Sequence, residues 1–460
     1  MYTLKEAYWK PLMSITDLLI TPIYFILFVM FFIFIRNLLY PEDKAMRKYF
    51  MHGILLKMIG SIGVGLVYFF YYGGGDTNEF FNNATVMYGA FGDNVSDYFI
   101  LLFNENEYNL PTSQEYMPWM FFRNDKGSYM VGRIAGLFSL ATFDTYLPIA
   151  LCFAALSFTG VWAMFVTFVD VFPKLKTQFA LATLYIPSVF FWGSGVMKDS
   201  ITLACVGWMT YAAYNLFIKR RKVFFSIVML SISSYFCLII KPYIVFSFAP
   251  SLLFWIFLTY RDRLKVQFLR IMMGPIVIVV SSVAGYFVVD RLGKDFQQFS
   301  IQGALKTATN YQDYHGYLAQ TANASGYSLG EMDGSVLSIV KNIPAAINVT
   351  LFRPYLWETR NPVMLLSALE SFLILLFTLR IFYRTGIGRT FKAIGSNATI
   401  FFCVFFAMFF GFSIGFTAYN FGALVRYKIP CIPFFLAGLF ILSYVTEEQN
   451  AKRISDKKGG

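Results

Sequence analysis

Residues 223–260 read VFFSIVMLSISSYFCLIIKPYIVFSFAPSLLFWIFLTY and contain one charged side chain, Lys241. A helix rises about 1.5 Å per residue, so roughly 20 apolar residues are needed to cross the hydrocarbon core of a bilayer. The stretch is long enough for two crossings, which we predict over 223–240 and 243–260, with Lys241 between them. These residues therefore predict a chain that crosses a membrane more than once.

The composition of the whole chain supports the same class. Of its 460 residues, 57% are hydrophobic and 14% are charged, whereas soluble domains carry about 25% charged residues. These charges are too few to cover a soluble protein of this length, so lipid is the expected solvent. The net charge of +12 lies mainly in short loops beside the apolar segments, which indicates membrane topology rather than nucleic-acid binding.

Hydropathy predicts an all-α fold of about eleven transmembrane helices in a single polytopic domain, 1–460. The predicted spans are 15–36, 50–72, 145–169, 178–193, 199–217, 223–240, 243–260, 271–289, 362–380, 397–417 and 429–445. Lys57 lies inside the second span near one end, and we expect its long side chain to extend to the membrane surface. The five cysteines lie in or beside apolar spans and form no metal-binding or disulfide pattern.

Two large loops interrupt the spans, at 73–144 and 290–361. The first has apolar residues at helical spacing over 76–91 and 128–141, which predicts short helices lying at the membrane interface. The second loop is more polar and is predicted to be irregular. The last residues, 446–460, are predicted to form a disordered tail.

The distribution of Lys and Arg predicts the orientation of the chain. Of the 38 Lys and Arg residues, 22 fall in the segments 36–48, 170–177, 218–222, 261–270, 380–392 and 446–460. Basic loops favour the cytoplasmic side, so these segments are predicted to be cytoplasmic and the two large loops extracytoplasmic. The extracytoplasmic side then holds 17 of the 26 Asp and Glu residues, which are the side chains suited to acid–base chemistry.

The sequence GGGDTNEFFNNA, at 73–84, follows the second span. Its glycines permit unusual backbone angles and the close approach of a ligand. Asp76 and Glu79 are spaced to share one face of a helix, as catalytic carboxylates would. Asp-x-x-Glu is also a capping box, in which backbone N–H groups occupy the side chains. Both interpretations stay open.

A second charged segment is PSVFFWGSGVMKDS, at 187–200, which predicts a tight turn carrying Lys198 and Asp199. These two residues would lie beside Trp192 at the membrane surface. They are candidates for substrate binding and catalysis. The alternative is a structural turn in which Asp199 caps the following helix.

A third charged segment is NFGALVRYKIPCIPFFLAG, at 420–438, where Arg426 and Lys428 precede the last span. Cations on the extracytoplasmic side run against the positive-inside pattern and need a partner. A phosphate headgroup would supply one, and so would a nearby carboxylate. Arg133, in the segment VGRIAGLF, either orients a headgroup or extends to the membrane surface.

The charge distribution places all three segments on one side of the membrane. Carboxylates and cations on one face are the groups needed to deprotonate an acceptor hydroxyl and to hold a lipid phosphate. The candidate catalytic residues are Asp76, Glu79 and Asp199, and the candidate phosphate-binding residues are Lys198, Arg426, Lys428 and Arg133.

Together these segments resemble the C-type (GT-C) superfamily of membrane glycosyltransferases. GDTNEFFNNA is similar to the early D-x-x-x-Y-x-x-x-A pattern of that family, with Asp76 at the acidic position and Phe80 at the aromatic one. LVRYKIPCIPFF is similar to the R-Y-x-x-P-x-x-P entry to its late spans, with Arg426 and Tyr427 at the first two positions. The turn SGVMKDS resembles a form found in bacterial members. An additional span before the acidic loop, Phe in place of Tyr, and the absence of a DxD motif depart from the family pattern.

The resemblance implies a GT-C-like enzyme of the cell inner (cytoplasmic) membrane with an extracytoplasmic active face. It would transfer a hexose or pentose from a polyprenyl-phosphate-linked donor to a glycan, lipid or protein acceptor, with Tyr427 joining the substrate-binding residues. No cofactor or metal ligand is assigned, and a divalent cation is left open. The alternatives are a lipid-linked oligosaccharide flippase or transporter, a surface-polysaccharide polymerase or ligase, and a non-catalytic assembly protein. Broken helices and polar residues inside spans would favour the transporter.

Overall fold

The computed structural model describes residues 12–104, 110–261, 275, 326–330 and 336–458. Within these residues the regular elements are helices, and β-pairing is limited to one isolated bridge between Gly326 and Asn420. Eight of the helices are long and apolar enough to cross a membrane, and a bent pair adds a ninth candidate. The described part of the chain therefore has the all-α architecture expected of a multi-pass membrane protein.

We number the helices in chain order over the described residues. The first nine are α1 Ile15–Leu39, α2 Lys44–Leu66, α3 Asp76–Asp93, α4 Val95–Phe103, α5 Pro111–Tyr116, α6 Lys126–Thr142, α7 Tyr146–Val171, α8 Lys176–Thr183 and α9 Pro187–Trp192. The others are α10 Lys198–Ala213, α11 Val223–Ile240, α12 Pro242–Tyr260, α13 Val336–Phe352, α14 Pro362–Thr385, α15 Ile387–Ser396, α16 Ala398–Gly415, α17 Phe421–Tyr427 and α18 Ile432–Lys458. Two π-helical turns, Val67–Tyr72 and Tyr214–Lys219, extend α2 and α10.

Eight of the eleven predicted spans are confirmed as continuous helices of spanning length, namely α1, α2 with its π-helical turn, α7, α10 with its π-helical turn, α11, α12, α14 and α16. The prediction of one helix over 178–193 is wrong, because Pro187 starts a new short helix after α8 ends at Thr183. Proline has no N–H to continue the hydrogen-bond ladder, and its ring disfavours helical geometry before it. The predicted span 429–445 falls in a bent pair, α17 and α18, with an angle of 62° at the break. The predicted span 271–289 lies outside the described residues, apart from Pro275.

The helices predicted over 76–91 and 128–141 are confirmed as α3 and α6. These two helices pack closely, since a Cβ at Gly132 of α6 would lie 2.9 Å from the Cβ of Asn83 in α3. The described end of the second large loop is also helical, as α13. Thr350 of α13 is buried and donates to the carbonyl of Gly411 in α16.

The predicted disordered tail, 446–460, is helical as far as Lys458 in the structure. This segment is rich in Glu, Gln, Ala, Lys and Arg, which favour helix. Two contacts join its start to neighbouring helices: Arg384 lies 3.9 Å from Glu447, and Arg389 donates to Asn450 at 3.1 Å.

The chain divides into two compact units. The first comprises Met1–Thr167, Thr183–Ala212 and Val223–Pro242, and the second comprises Phe168–Ala182, Ala213–Lys222 and Tyr243–Gly460. The first unit contains the helices of the first large loop, and the second contains α13 to α18.

Lys57 of α2 is buried in the first unit, with 2% of its surface exposed. Its ammonium donates to the carbonyls of Val189 and Gly193, at 3.0 and 2.7 Å, and to the hydroxyl of Ser157 at 3.0 Å. The two carbonyls lie in and just after the short helix α9, where the helical ladder stops and leaves acceptors unpaired. The expectation that Lys57 reaches the membrane surface is therefore wrong, because these carbonyls need a donor inside the protein.

Close backbone packing brings α9 within reach of Lys57. A Cβ at Gly60 of α2 would lie only 2.3 Å from the carbonyl oxygen of Phe190 in α9. Only glycine leaves room for this approach. One turn of α2 thus supplies both the space for α9 and the cation that completes its hydrogen bonding.

We predict that Lys57→Met lowers the free energy of unfolding by about 1–3 kcal/mol, the usual cost of a buried acceptor that loses its donor. The Val189 carbonyl loses the Lys57 ammonium, whereas the Gly193 carbonyl keeps a hydrogen bond from the Ser157 hydroxyl at 2.6 Å. Methionine retains the apolar volume, so the loss reports the hydrogen bonds. The measurement is thermal or denaturant-induced unfolding of the purified protein in detergent. The matched control is Lys48→Met, an exposed lysine in the same helix, and equal stability of the two variants would refute the prediction.

Candidate functional site

Asp76 opens α3 after a turn of three glycines, Gly73, Gly74 and Gly75, which have φ angles of 67°, 145° and 132°. Side chains other than glycine rarely adopt this conformation. A Cβ at Gly75 would also lie 2.8 Å from the ring of Tyr68. The turn therefore requires glycine, and it presents the start of α3 to the exterior of the unit.

The capping-box interpretation of Asp76 and Glu79 is not realised in the structure. Gly75 occupies the N-cap position, and no side chain caps the helix. Asp76 lies inside the first turn with an exposed side chain, and Glu79 is half-buried one turn later. The positive end of the α3 dipole stabilises negative charge at this position.

Glu79 titrates abnormally. Burial raises the pKa of its carboxyl above the ordinary value and the charge of Asp76 raises it further, while a hydrogen bond with Asn82 partly offsets both effects. Because the folded pKa lies above the unfolded one, the protonated form favours folding. This contribution is complete below the unfolded pKa and is lost as the pH rises through the folded pKa. A carboxylate whose pKa is raised by burial and by a neighbouring charge is a common feature of sites that transfer protons.

Thr77 connects the start of α3 to the turn before α10. Its hydroxyl is buried, lies 2.9 Å from the hydroxyl of Tyr146 and donates to the carbonyl of Val196 at 3.1 Å. The structure therefore joins the first two predicted segments, GGGDTNEFFNNA and PSVFFWGSGVMKDS, through a side chain that the sequence analysis did not single out. Phe80, at the aromatic position of the family pattern, is buried and stacks on Phe122.

Lys198, at the start of α10, forms an ion pair with Asp125 at 2.7 Å. Asp125 is the N-cap of α6 and accepts hydrogen bonds from the N–H of Gly127 and the hydroxyl of Ser128. Burial acts to raise the pKa of Asp125, but the charge of Lys198 and these hydrogen bonds outweigh it and hold the pKa below its usual value. Lys198 keeps about a quarter of its side chain exposed, so it can still approach a ligand.

Asp199 forms an ion pair with Lys241 at 2.5 Å, and both side chains are at least 94% buried. Lys241 is the lone charge in the apolar stretch 223–260. A buried carboxylate with a cation of its own is well suited to fix the start of α10 against the end of α11. This geometry gives Asp199 a structural partner and does not favour it as a base.

Arg133 lies on α6 and binds the end of α4. Its guanidinium donates to the carbonyls of Leu101 and Asn104 and lies 4.8 Å from the ring of Tyr129. The Tyr129 hydroxyl donates to the same Leu101 carbonyl at 3.0 Å. Arg133 therefore completes the hydrogen bonding of a helix C-terminus.

In the second unit, Lys428 lies at the break between α17 and α18 and is fully buried. Its ammonium donates to the hydroxyl of Ser371 at 2.7 Å and to the carbonyl of Arg353, the residue after α13, at 3.4 Å. Glu370 of α14 is also buried and interacts electrostatically with Lys428. Lys428 thus belongs to a buried polar cluster, and Glu370 has the buried polar partner expected of an ionisable residue inside a span.

Arg426 and Tyr427 end α17 and are half-buried, with the guanidinium 5.9 Å from the adjacent ring. Nearby, Arg353 binds Glu358 through two nitrogen atoms and faces the ring of Phe421 at 5.2 Å. The second unit therefore gathers arginine and aromatic side chains around the start of α17.

The candidate residues fall into two groups. Asp76, Glu79, Arg133, Lys198 and Asp199 belong to the first unit, and Arg426, Tyr427 and Lys428 belong to the second. Among the described residues, no group of three or more His, Cys, Asp or Glu side chains is placed to hold a metal ion.

Sequence reasoning missed Asp125 and Lys241 as partners of the two charged residues at the start of α10. Asp125 could have been recognised, because an Asp before an apolar periodic segment is a helix N-cap signal. Lys241 also stands out as a lone charge in an apolar stretch. Its partner, however, lies 42 positions earlier in the chain, a distance that no local pattern reveals.

No protein-family model matches the chain, and no curated protein and no solved structure matches it either. Its function is therefore inferred from its own residues.

We predict that Lys241→Met lowers the free energy of unfolding by about 3–5 kcal/mol, because it leaves the Asp199 carboxylate buried without its cation. The double variant Asp199→Asn/Lys241→Met removes both charges and should recover much of this loss. Unfolding of the purified variants in detergent measures both effects. A double variant no more stable than Lys241→Met would contradict the assignment of the pair as a structural contact.

Proposed function

We propose that the chain is a membrane glycosyltransferase that moves a sugar from a polyprenyl-phosphate-linked donor to an acceptor on the extracytoplasmic face of the inner membrane. The observation that carries this proposal is the carboxylate pair at the start of α3. Asp76 is exposed in the first turn of the helix, does not cap it, and lies one turn before Glu79, whose pKa is raised. The similarity of GDTNEFFNNA to the early GT-C pattern adds to this argument.

In this proposal Asp76 is the general base. Its carboxylate accepts the proton of an acceptor hydroxyl, and the hydroxyl oxygen forms a bond to the anomeric carbon of the donor sugar. The bond between that carbon and the phosphate oxygen breaks, and the polyprenyl phosphate leaves with the electron pair. Glu79 lies one helical turn away from the Asp76 carboxylate and has a raised pKa.

The contacts narrow the proposed roles of the other candidates. In the first unit Lys198 is partly exposed and stays a candidate for binding the donor phosphate. In the second unit Arg426 and Tyr427 are half-buried, and the sequence pattern alone makes them candidates for substrate binding. Arg133 binds helix carbonyls, Asp199 binds Lys241 and Lys428 is fully buried, which are positions suited to supporting the fold. The proposed chemistry therefore needs fewer charged residues than the sequence pattern suggests.

We predict that Asp76→Asn lowers sugar transfer by a factor of 100 or more, the usual contribution of a general base. The assay is transfer of radiolabelled sugar from synthetic polyprenyl-phosphate donors in proteoliposomes. The pH below which the residual activity falls should be lower than in the wild-type protein. The reason is that the variant removes the Asp76 charge, which raises the pKa of Glu79.

Glu115→Gln is the matched control, an exposed carboxylate of the same unit on α5. It should transfer sugar at the wild-type rate. Undiminished transfer by a folded Asp76→Asn protein would refute the base assignment. Failure of the wild-type protein to transfer sugar from any member of a donor panel would count against the enzyme class itself.

A lipid-linked oligosaccharide flippase is the second candidate, and broken helices favour it. The chain breaks between α8 and α9 and again between α17 and α18. Lys57 is buried against the end of α9, and Lys428 is buried at the break between α17 and α18. Interrupted helices with buried ionisable residues are common at the substrate sites of transporters.

A fluorescent lipid-linked oligosaccharide in proteoliposomes distinguishes the two candidates. A flippase is expected to make the inner-leaflet probe accessible to a membrane-impermeant quencher, and Asp76→Asn would leave this rate unchanged. A glycosyltransferase is expected to leave the inner-leaflet probe protected. Protection with active wild-type protein would exclude the flippase for that probe.

A further inference from the structure

The short helix α15 is held close to the membrane surface at both ends. One residue, Gly386, separates it from α14, and one residue, Asn397, separates it from α16. Both neighbours are candidate membrane spans. A ten-residue helix tethered this tightly between two spans cannot extend far from the bilayer.

One side of α15 is apolar and exposed. Ile387 and Phe391 are four positions apart, so they share a face, and 68% and 63% of their surfaces are exposed. A different side packs into the second unit through Thr390 and Ala393, which are buried. The exposed apolar side is therefore additional to the surface that α15 uses to pack on the protein.

The third side of α15 is basic. Lys392 and Arg389 are exposed. Successive helical residues turn by about 100°, so Lys392 projects about 100° away from both Phe391 and Ala393, and Arg389 projects between Lys392 and the packed side. Arg389 also donates to Asn450 of α18 at 3.1 Å. With Arg380 and Arg384, they place four cations within residues 380–392, and the sequence has no Asp or Glu from 371 to 446.

We propose that α15 lies in the plane of the membrane surface and binds anionic phospholipids. Ile387 and Phe391 insert at the boundary of the acyl chains, and Lys392 and Arg389 contact the negatively charged headgroups. An amphipathic helix with an apolar side and an adjacent basic side has the chemistry of such a surface. The tether to two spans favours lipid over a soluble partner protein as the occupant.

The test is photocrosslinking from residue 391. The full-length protein with Phe391→p-benzoylphenylalanine is reconstituted in vesicles of equal parts phosphatidylglycerol and phosphatidylcholine, irradiated, and analysed by mass spectrometry. We expect lipid adducts in which the ratio of phosphatidylglycerol to phosphatidylcholine exceeds the bulk ratio. Adding Lys392→Gln should lower this ratio by up to about fivefold, the effect of one cation at an anionic surface.

Lys126→Gln, which removes an exposed lysine in the first unit, is the matched control and should leave the enrichment unchanged. Peptide adducts or the absence of lipid adducts would overturn the membrane placement of α15. Lipid adducts in the bulk ratio would overturn the binding of anionic headgroups. Gel filtration of each variant in detergent verifies that the protein is folded before crosslinking.

Discussion

Backbone carbonyls inside a membrane protein must find donors within the protein, and this chain satisfies that requirement with buried lysines. Where α9 ends, Lys57 donates to two carbonyls and a hydroxyl. Where α13 ends, Lys428 donates to the carbonyl of Arg353 and to Ser371. Water would supply these donors in a soluble protein, whereas lipid cannot. The two units thus use the same solution at places where a helix stops within an apolar chain.

Ion pairs and a hydrogen bond also hold the start of α10 in the first unit. Lys198 and Asp199 are adjacent in sequence, yet each has its own partner: Asp125 at the start of α6 and Lys241 at the end of α11. Two ion pairs therefore attach the start of α10 to two other helices, and Thr77 attaches it to α3. Asp76 is exposed after the glycine turn, Glu79 is half-buried one turn later, and neither side chain caps α3. The exposed carboxylate and the raised pKa of its neighbour are the reasons for placing the proposed chemistry at α3.

Much of the fold could be predicted because hydropathy is a local property. Eight predicted spans are present as helices, and α3 and α6 follow from apolar residues at helical spacing. The prediction of one continuous helix over 178–193 was wrong, because average hydropathy does not register the proline at which a new helix starts. The prediction of disorder from residue 446 missed a helix, because the charged residues of this segment are also good helix formers.

The sequence by itself determined that this chain is helical, rich in membrane-spanning segments and charged mainly in its loops, because composition and periodicity depend only on neighbouring residues. It also identified Asp76 and Glu79 as a pair on one helix face. The tertiary structure alone decided what each cation does. The partners of Lys57 lie 100 to 136 positions away in the chain, and those of Lys428 lie 57 and 75 positions away. Contacts over such distances depend on how helices pack. The local sequence around a lysine in an apolar segment is the same whether its ammonium reaches the membrane surface or donates hydrogen bonds to a buried helix end.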